Sequence, residues 1–445
     1  MRKCSIVLWL TCAIVMVSQA AFSESRTLSL EECLQIAVEK SPLVGSSREQ
    51  LQSARTNVLR SYGNFLPSAS LSMTAGHSYI GPTGSIFTDA QGRPVQQTGF
   101  DYEHYSFGLS SSWTLFDWGV NVKRLSEAKS TAQGALHDLQ WQKDNVTAIV
   151  IRSYYNLLRM KKLEEVQDQS VQAAERNLEQ VDAFYTIGSN TKADVLQARV
   201  RLANTQLSLI TARNSHQLAR AKLASDLNLP LHEQFEIVES ITITPVEWSI
   251  EEEIEYMYAH RSDLKSLSSR VRSSKNGLAA AQNSRWPTLN TYIQYGWNDR
   301  EFPDNGNFFK SEYSWGLGLS MNFNIFDRFN TKSNIMSAKA QARIAEYNLQ
   351  LGKLDAVYEV QQLMLSLNEA TERINLSLET VGQAEENLRL AEERYRVGAG
   401  TILETIEAGV LMTEAQANLV QAQCDYLIAK ADFLRATGRE VRSDS

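Results

Sequence analysis

Four stretches of the chain alternate between apolar and small polar residues. Across 313–325 every odd position is apolar and every even position is Ser, Gly or Asn. The stretches 69–79, 105–115 and 289–297 alternate in a similar way, and His77 interrupts the apolar row of the first. A period of two with one apolar and one polar face predicts β-strands that separate two different environments.

Such strands fit either a soluble sandwich, in which the apolar face meets a core, or a membrane barrel, in which it meets lipid. Lengths of about 9 to 13 residues, aromatic residues toward the strand ends and small polar residues on the other face favour the barrel. Four strands are too few to close a barrel, and open edges are not tolerated in lipid. We therefore expect the chains to pool their strands, with a trimer supplying about twelve.

The periodicity becomes helical after each pair of strands. A heptad register runs without a break from Val122 to Tyr185, and most of its positions are Ala, Val, Leu, Met or Tyr. No proline interrupts 95–229 or 304–445. A helix from Gly119 to Tyr185 would be about 100 Å long. A flanking apolar stripe predicts neighbours on two sides, which suits a ring of helices, although a two-helix coiled coil is the alternative.

One structural unit is present twice. An offset of 220 residues aligns Pro67 with Pro287. An offset of 210 aligns Phe116 and Asp117 with Phe326 and Asp327, because the intervening loop is longer in the first copy. This self-similarity predicts an internally duplicated α+β membrane protein with long antiparallel coiled-coil helices and four strands per chain.

The predicted bounds follow from these patterns. A signal peptide is expected at 1–20, a linker or equatorial segment at 231–248 and a flexible C-terminal tail at 439–445. The first repeat, 21–230, has short helices, strands at about 68–79 and 105–116, and long helices at 118–186 and 191–228. The second repeat, 249–438, has strands at about 288–298 and 313–326, and long helices at 328–396 and 401–437. Capped helical pieces are expected at 30–62 and 250–283.

The first residues resemble a secretory signal. Arg2 and Lys3 precede a short apolar run, and Ser18-Gln19-Ala20 offers small residues for cleavage. The residues before Cys12 do not fit a lipoprotein signal, so no lipid anchor is predicted. Removing two cations changes the formal net charge from −7 to −9 (−7 − 2), and this acidic balance argues against nucleic acid as a partner.

The sequence shows no enzyme or cofactor signature. Its six histidines are scattered without metal-ligand spacing, and no phosphate loop or nucleophile motif occurs, so neither a metal nor a cofactor is predicted. After signal cleavage only Cys33 and Cys424 remain, as two buried thiols or as one disulfide. Glu404 and Glu407 share a helix face, which fits a solvated helix start or a cation-attracting constriction in a threefold ring equally well.

The duplication, the strand ends 115–117 and 325–327, and the turns 185–191 and 394–401 together resemble the TolC-like outer-membrane efflux protein family. The resemblance covers roughly 28–438. It implies a homotrimer in the outer-membrane lipid, with a twelve-stranded barrel and a periplasmic α-barrel. It also implies an exit duct for tripartite efflux or type I secretion, which works with a periplasmic adaptor and an inner-membrane pump of the RND, ABC or MFS type.

The same resemblance assigns roles to residues at the helical turns. It implies a pore constriction formed by Glu404, Glu407 and Asp194. It implies adaptor contacts at Ile187, Gly188, Ser189, Val397, Gly398 and Ala399. Gly400 stands where other members carry a basic residue that helps to hold the entrance closed, so Tyr395 and Arg396 become candidate gate contacts. The alternative function is a periplasmic coiled-coil scaffold without channel activity.

Overall fold

The computed structural model describes residues 26–82, 86–88, 90–96, 99–231, 235–239, 243, 248–302 and 310–439. The predicted signal peptide at 1–20 lies outside these ranges, as do residues 440–445 of the predicted tail and part of the predicted linker.

The first repeat contains two short helices, a pair of long strands and a long helical hairpin. Its elements are β1 (Arg26–Leu28), α1 (Leu30–Lys40), α2 (Pro42–Gly63), β2 (Ser68–Ile80), β3 (Ile86–Thr88), β4 (Pro94–Gln96), β5 (Phe100–Phe116), α3 (Val120–Thr186) and α4 (Lys192–Asp226). A short strand, β6 (Phe235–Ile237), follows and pairs in parallel with β1.

The second repeat presents the same series of helices and long strands. Its elements are α5 (Ile250–His260), α6 (Ser262–Asn283), β7 (Thr288–Asp299), β8 (Tyr313–Asn322), α7 (Asn330–Arg396) and α8 (Ile402–Thr437). Helices α3 and α7 both have 67 residues, and α2 and α6 both have 22. The matched lengths confirm the predicted duplication.

Equivalent aspartates begin the two longest helices. The carboxylate of Asp117 accepts a hydrogen bond from Asn121 N at 2.7 Å, and that of Asp327 accepts one from Thr331 N, also at 2.7 Å. Such side-chain acceptors satisfy amide groups that have no partner within the first helical turn. The chain therefore turns from strand to helix by the same device in both repeats.

The four long strands form one antiparallel sheet in the order β2-β5-β7-β8. Its central pairing, β5 with β7, joins the two repeats. One face carries an apolar row that crosses all four strands through Leu71, Leu109, Tyr295 and Trp315. The neighbouring row on the other face is polar or small, consisting of Ser70, Ser110, Gln294 and Gly316. The predicted separation of two faces is therefore present.

Both edges of this sheet are open. Among the described residues, β2 pairs only with β5, and β8 pairs only with β7. The apolar row of β8 is also uncovered, because Trp315 is 72% exposed and Leu319 is 68% exposed. Unpaired edge strands and an uncovered apolar face are features that a folded protein normally hides.

The described residues form two compact units, and each takes segments from both repeats. The described residues of unit 1 lie within 26–49, 137–264 and 352–439, and those of unit 2 lie within 50–136 and 265–351. The core of unit 1 packs α1 against α3, α4 and the β1–β6 pair. Its fully buried side chains include Cys33, Val150, Leu158, Leu223 and Leu227. Unit 2 contains the four-stranded sheet.

Several details differ from the sequence prediction. Strand β8 ends at Asn322 instead of Phe326, because β7 begins at Thr288, which is the partner of Asn322. Strand β5 begins at Phe100 instead of 105, because β2 extends to Ile80 and pairs with it. The pairs β1–β6 and β3–β4 were not predicted. Each of these strands has three residues, too few to show a period.

The two short helical pieces also differ in detail from the prediction. Each is divided into two helices, and the first division falls at Ser41–Pro42. The capping box at Ser29 forms, with Ser29 N donating to Glu32 Oε2 at 2.9 Å. Its counterpart Ser249 makes no side-chain cap hydrogen bond.

Candidate functional site

The two long helical hairpins end in turns of the same geometry. Gly188 and Gly398 have positive φ angles of 79° and 76°, a conformation that costs little only for glycine. In the first turn Ser189 N donates to Phe184 O at 2.9 Å. In the second turn Ala399 N donates to Arg394 O at 2.8 Å. These bonds satisfy the last carbonyls of α3 and α7, so each turn is a left-handed helix C-cap.

The residues predicted to contact an adaptor lie at the surface of these turns. All six are exposed in the chain: Ile187, Gly188, Ser189, Val397, Gly398 and Ala399. Ile187 and Val397 are each 73% exposed. Each hairpin therefore presents one large apolar side chain next to a glycine turn.

Asp194 has a structural function at the beginning of α4. Its Oδ2 atom accepts hydrogen bonds from Thr191 N and Thr191 Oγ1, both at 2.7 Å. Asp194 N donates in return to Thr191 Oγ1 at 3.3 Å. This capping box fixes the carboxylate against its own helix end. The acid predicted for the constriction is therefore also a helix cap.

Glu404 is the residue equivalent to Asp194, but its carboxylate is not part of the cap. Thr401 Oγ1 accepts from Glu404 N at 3.3 Å, while Glu404 Oε2 lies 3.7 Å from Arg394 Nη2. Both side chains are largely exposed, so this ion pair contributes at most about 1 kcal/mol. Arg394 also donates to Ala399 O at 3.3 Å. Glu407 is exposed on the same face of α8 and has no ion pair among the described residues.

Tyr395 connects the two turns. Its hydroxyl accepts a hydrogen bond of 2.6 Å from Asn190 Nδ2, and the side chain is only 7% exposed. Asn190 Nδ2 also lies 3.4 Å from Val181 O. The ring of Tyr395 packs in an apolar cluster with Val181, Val195, Ala198 and Ile402, flanked by Leu178, Phe184 and Ile406. The tips of the two hairpins are therefore joined by apolar packing and by a partly buried hydrogen bond.

The equivalent hydrogen bond, from residue 400 to Tyr185, is absent from the described residues. Tyr185, the counterpart of Tyr395, is 44% exposed, and its hydroxyl makes no hydrogen bond within the part of the chain that the structure describes. Gly400, the counterpart of Asn190, has no side chain to donate. A Cβ atom at Gly400 would lie 3.1 Å from Arg394 Cβ and 3.2 Å from Tyr395 N, closer than ordinary van der Waals contact. A side chain at Gly400 would therefore fit only if Arg394 and the Tyr395 backbone shifted by a few tenths of an ångström.

The helix above the second turn carries further charge. Arg389 donates to Glu386 at 2.6 Å and to Glu393 at 2.9 Å, and the hydrogen bond with Glu386 is the main reason that the pKa of Arg389 is raised. Arg396, a candidate gate contact, is exposed and makes no ion pair within the described ranges.

Within the described ranges, no group of three or more His, Cys, Asp or Glu side chains is arranged to hold a metal ion. Cys33 and Cys424 are both buried, and neither forms a disulfide in the described part of the chain. None of the helices in the described residues has both the length and the apolar character that crossing a membrane requires.

Two hairpins that end in glycine turns, together with a shared four-stranded antiparallel sheet, define the TolC-like class of fold. The chain belongs to the outer membrane efflux protein family, whose profile matches residues 33–228 and 254–439 and so covers both repeats. Membership assigns the chain to outer-membrane efflux channels and not to enzymes.

Relatives and solved structures agree with this assignment. Nodulation protein T of Rhizobium leguminosarum bv. trifolii is 20% identical over 83% of this chain and 77% of its own length. The pyoverdine export outer membrane protein OpmQ of Pseudomonas putida is 21% identical over 87% of this chain and 81% of its own length. The CmeC outer membrane channel of Campylobacter jejuni shares the fold, with a TM-score of 0.80 over 92% of this chain and 85% of that chain at 15% identity.

Proposed function

We propose that the chain is the exit duct of a tripartite efflux or type I secretion system. In this proposal three copies combine their sheets into a twelve-stranded barrel in the outer membrane. Their long helices form a periplasmic tunnel that ends at the glycine turns. Substrates pass through passively, and an inner-membrane pump supplies the energy.

One observation carries this proposal: the four-stranded sheet has an uncovered apolar face and two open edges. The exposed row on β8 includes Trp315, Leu317, Leu319 and Met321, which are 65–72% exposed. Lipid accepts such a face, but it does not accept unpaired backbone groups. Pairing the edges of three copies would satisfy those groups and would give about twelve strands, an even number within the range of known barrels.

The hairpin turns fit the role of an entrance that binds an adaptor. The six turn residues named above are exposed, and their backbone is fixed by the C-cap hydrogen bonds. A rigid turn with a protruding Ile187 or Val397 is a suitable contact for another helical hairpin, because little conformational entropy is lost on binding. We propose that the adaptor binds here.

The acids next to the turns fit a cation-attracting constriction. Glu404 and Glu407 are exposed on one face of α8, and threefold symmetry would repeat this pair around the pore. Rings of carboxylates select cations in channels because the charges act together in a narrow space. Asp194 lies on the neighbouring hairpin, where its cap interactions would hold its charge in a fixed position.

The test is cation block of single-channel current in planar bilayers. Replacement of both acids, Glu404→Gln with Glu407→Gln, should weaken block by a trivalent cation about tenfold or more, because the ring loses most of its charge. The matched control is Glu369→Gln with Glu372→Gln, a pair of exposed acids with the same spacing on α7. Equal block in the wild type and the Glu404/Glu407 variant would refute the constriction, and absence of any conductance would refute the channel.

A further inference from the structure

The two open edges of the sheet are copies of the two strands that pair at its centre. An offset of 210 residues relates β5 to β8, and an offset of 220 relates β2 to β7. The pairing of β5 with β7 inside the chain is therefore a template for the pairing of β8 with the β2 strand of another copy.

We infer that β8 of one copy pairs with β2 of the next in the register that this template dictates. The inference rests on the trimeric barrel proposed above. Inside the chain Leu109 opposes Tyr295. Applying the two offsets (109 + 210 and 295 − 220) places Leu319 opposite Ala75 of the partner subunit.

The remaining pairs follow in the same way. The template pairs Ser110 with Gln294, Ser111 with Ile293 and Ser112 with Tyr292. They become Ser320 with the partner's Thr74, Met321 with the partner's Met73 and Asn322 with the partner's Ser72.

This register keeps the two faces of the sheet separate. Met321 meets the partner's Met73 on the apolar face, and Ser320 meets the partner's Thr74 on the polar face. Because side chains alternate along a strand, a slip of one residue would place Ser320 against the partner's Met73. The apolar and polar faces of one of the two strands would then be exchanged. The register therefore follows from the alignment of the two repeats, in which Pro67 corresponds to Pro287 and Phe116 to Phe326.

The inference also explains why the alternating pattern continues beyond the end of β8. In the first repeat Ser112 is the last β5 residue that pairs with β2, and Trp113, Thr114 and Phe116 pair with β7 alone. Their equivalents are Phe323, Asn324 and Phe326, which have no partner strand in the described chain.

The template gives these three residues the partner's Leu71, Ser70 and Ala69 as neighbours. Phe323 is 53% exposed and Phe326 is 72% exposed in the single chain. Pairing with the next copy would extend β8 and would make it as long at this end as β5.

A strained residue just beyond this end points to the same neighbour. Gly119 has a φ of +79°, and its equivalent Phe329 has a φ of +66° with 66% of its surface exposed. A phenylalanine in this conformation is costly, and the cost persists only when surrounding structure maintains it.

The residue that contacts Gly119 also differs between the two repeats. A Cβ atom at Gly119 would lie 3.9 Å from Asn283 Nδ2, and Asn283 donates to Trp118 O at 2.9 Å. At an offset of 220 the residue equivalent to Asn283 is Gly63, where an added Cβ atom would meet nothing within 4 Å. A glycine facing an asparagine inside the chain thus becomes Phe329 facing the partner's Gly63, which leaves room for the ring.

The test is disulfide crosslinking of the full-length protein in outer-membrane vesicles under mild oxidation. Residues directly opposite each other have Cα atoms about 5 Å apart, within the range that a disulfide spans. The chain with Ala75→Cys and Leu319→Cys should therefore give dimer and trimer bands on non-reducing gels. The control, Ala75→Cys with Trp315→Cys, displaces one thiol by about 13 Å along the strand and should give none.

The outcomes separate the register from the trimer. Stronger crosslinking in the Ala75/Trp315 pair than in the Ala75/Leu319 pair would overturn the register while leaving the barrel intact. A protein of trimeric native mass in which neither cysteine pair forms a crosslink would also overturn the register. A protein of monomeric mass would overturn the proposed function itself.

A second measurement uses the exchanged pair. Gly63→Phe should lower the fraction of trimer that survives in detergent, because two aromatic rings would compete for one space. Adding Phe329→Gly to the same chain should restore the trimer. Unaltered trimer in Gly63→Phe, or failure of Phe329→Gly to rescue it, would refute this contact.

Discussion

Removal of the Tyr395 hydroxyl tests whether the bond between the two turns keeps the entrance closed. Tyr395→Phe retains the ring in its apolar cluster and deletes only the acceptor for Asn190 Nδ2, which lies 2.6 Å away. If opening separates the hairpin tips, this bond breaks when the pore opens. The substitution should therefore destabilise the closed state and leave the open state unchanged.

The size of the effect follows from the setting of the bond. A hydrogen bond of this kind contributes about 1 kcal/mol net, and its donor remains only partly buried when the acceptor is lost. Asn190 keeps Val181 O at 3.4 Å, so the penalty for an unsatisfied donor is small. In a trimer that opens in a concerted way the three bonds add to about 3 kcal/mol, which corresponds to a change of about 100-fold in the ratio of open to closed states.

The assay is the ratio of open to closed dwell times of single channels in planar bilayers. Tyr185→Phe is the matched control, because it removes the equivalent hydroxyl, which is exposed and has no hydrogen bond among the described residues. Only Tyr395→Phe should raise the ratio. An unchanged ratio in a Tyr395→Phe channel of normal trimeric mass would refute the reasoning, and an equal rise in Tyr185→Phe would show that the effect is not specific to this bond.

Two further predictions concern the core of unit 1. Burial raises the pKa of Glu359, but Arg261 and Arg435, at 2.6 and 2.5 Å, outweigh it, so the pKa is lowered. A lowered carboxyl pKa gives stability that is present above about pH 4 and is lost as the pH falls through the folded pKa. Glu359→Gln should therefore lower Tm at pH 7 and flatten its decline toward pH 3; an equally steep decline would contradict this. Burial raises the pKa of Cys424 to about 11, so alkylation at pH 8 should modify it only after unfolding, as mass spectrometry would detect.

The long strands and helices could be predicted because their partners impose a regular period on the sequence. An apolar sheet face requires an apolar residue at every second position of 313–325, and packing against neighbouring helices requires the heptad pattern of α3. The end of β8 could not be predicted, because pairing, and not the residue itself, decides whether Phe323 is in a strand. The strands β1 and β6 could not be predicted for a further reason: each has three residues, too few to show a period, and the two are defined by their pairing with each other.

Parts of the site could be predicted and other parts could not. Gly188 and Gly398 could be identified as left-handed caps, because a helix that ends at a glycine is a local signal. The spacing of Thr191 and Asp194 also predicts a capping box, a signal that our interpretation of Asp194 as a pore acid overlooked. The bond from Asn190 to Tyr395 joins residues that are far apart in the sequence, so no local pattern could indicate it.

The position of β5 next to β7 has a consequence for how the protein folds. Tyr105 opposes Asp299, and all of α3 and α4 lie between them in the chain. Such a high contact order slows folding, because a very long loop must close before the pairing forms. During that delay β5 and β7 are free edges, and every neighbouring copy of the chain offers the same strands together with their equivalents in the other repeat. Misassembly by strand exchange is therefore the characteristic hazard of this duplicated architecture, and newly made chains would gain from being kept apart until their own central pairing has formed.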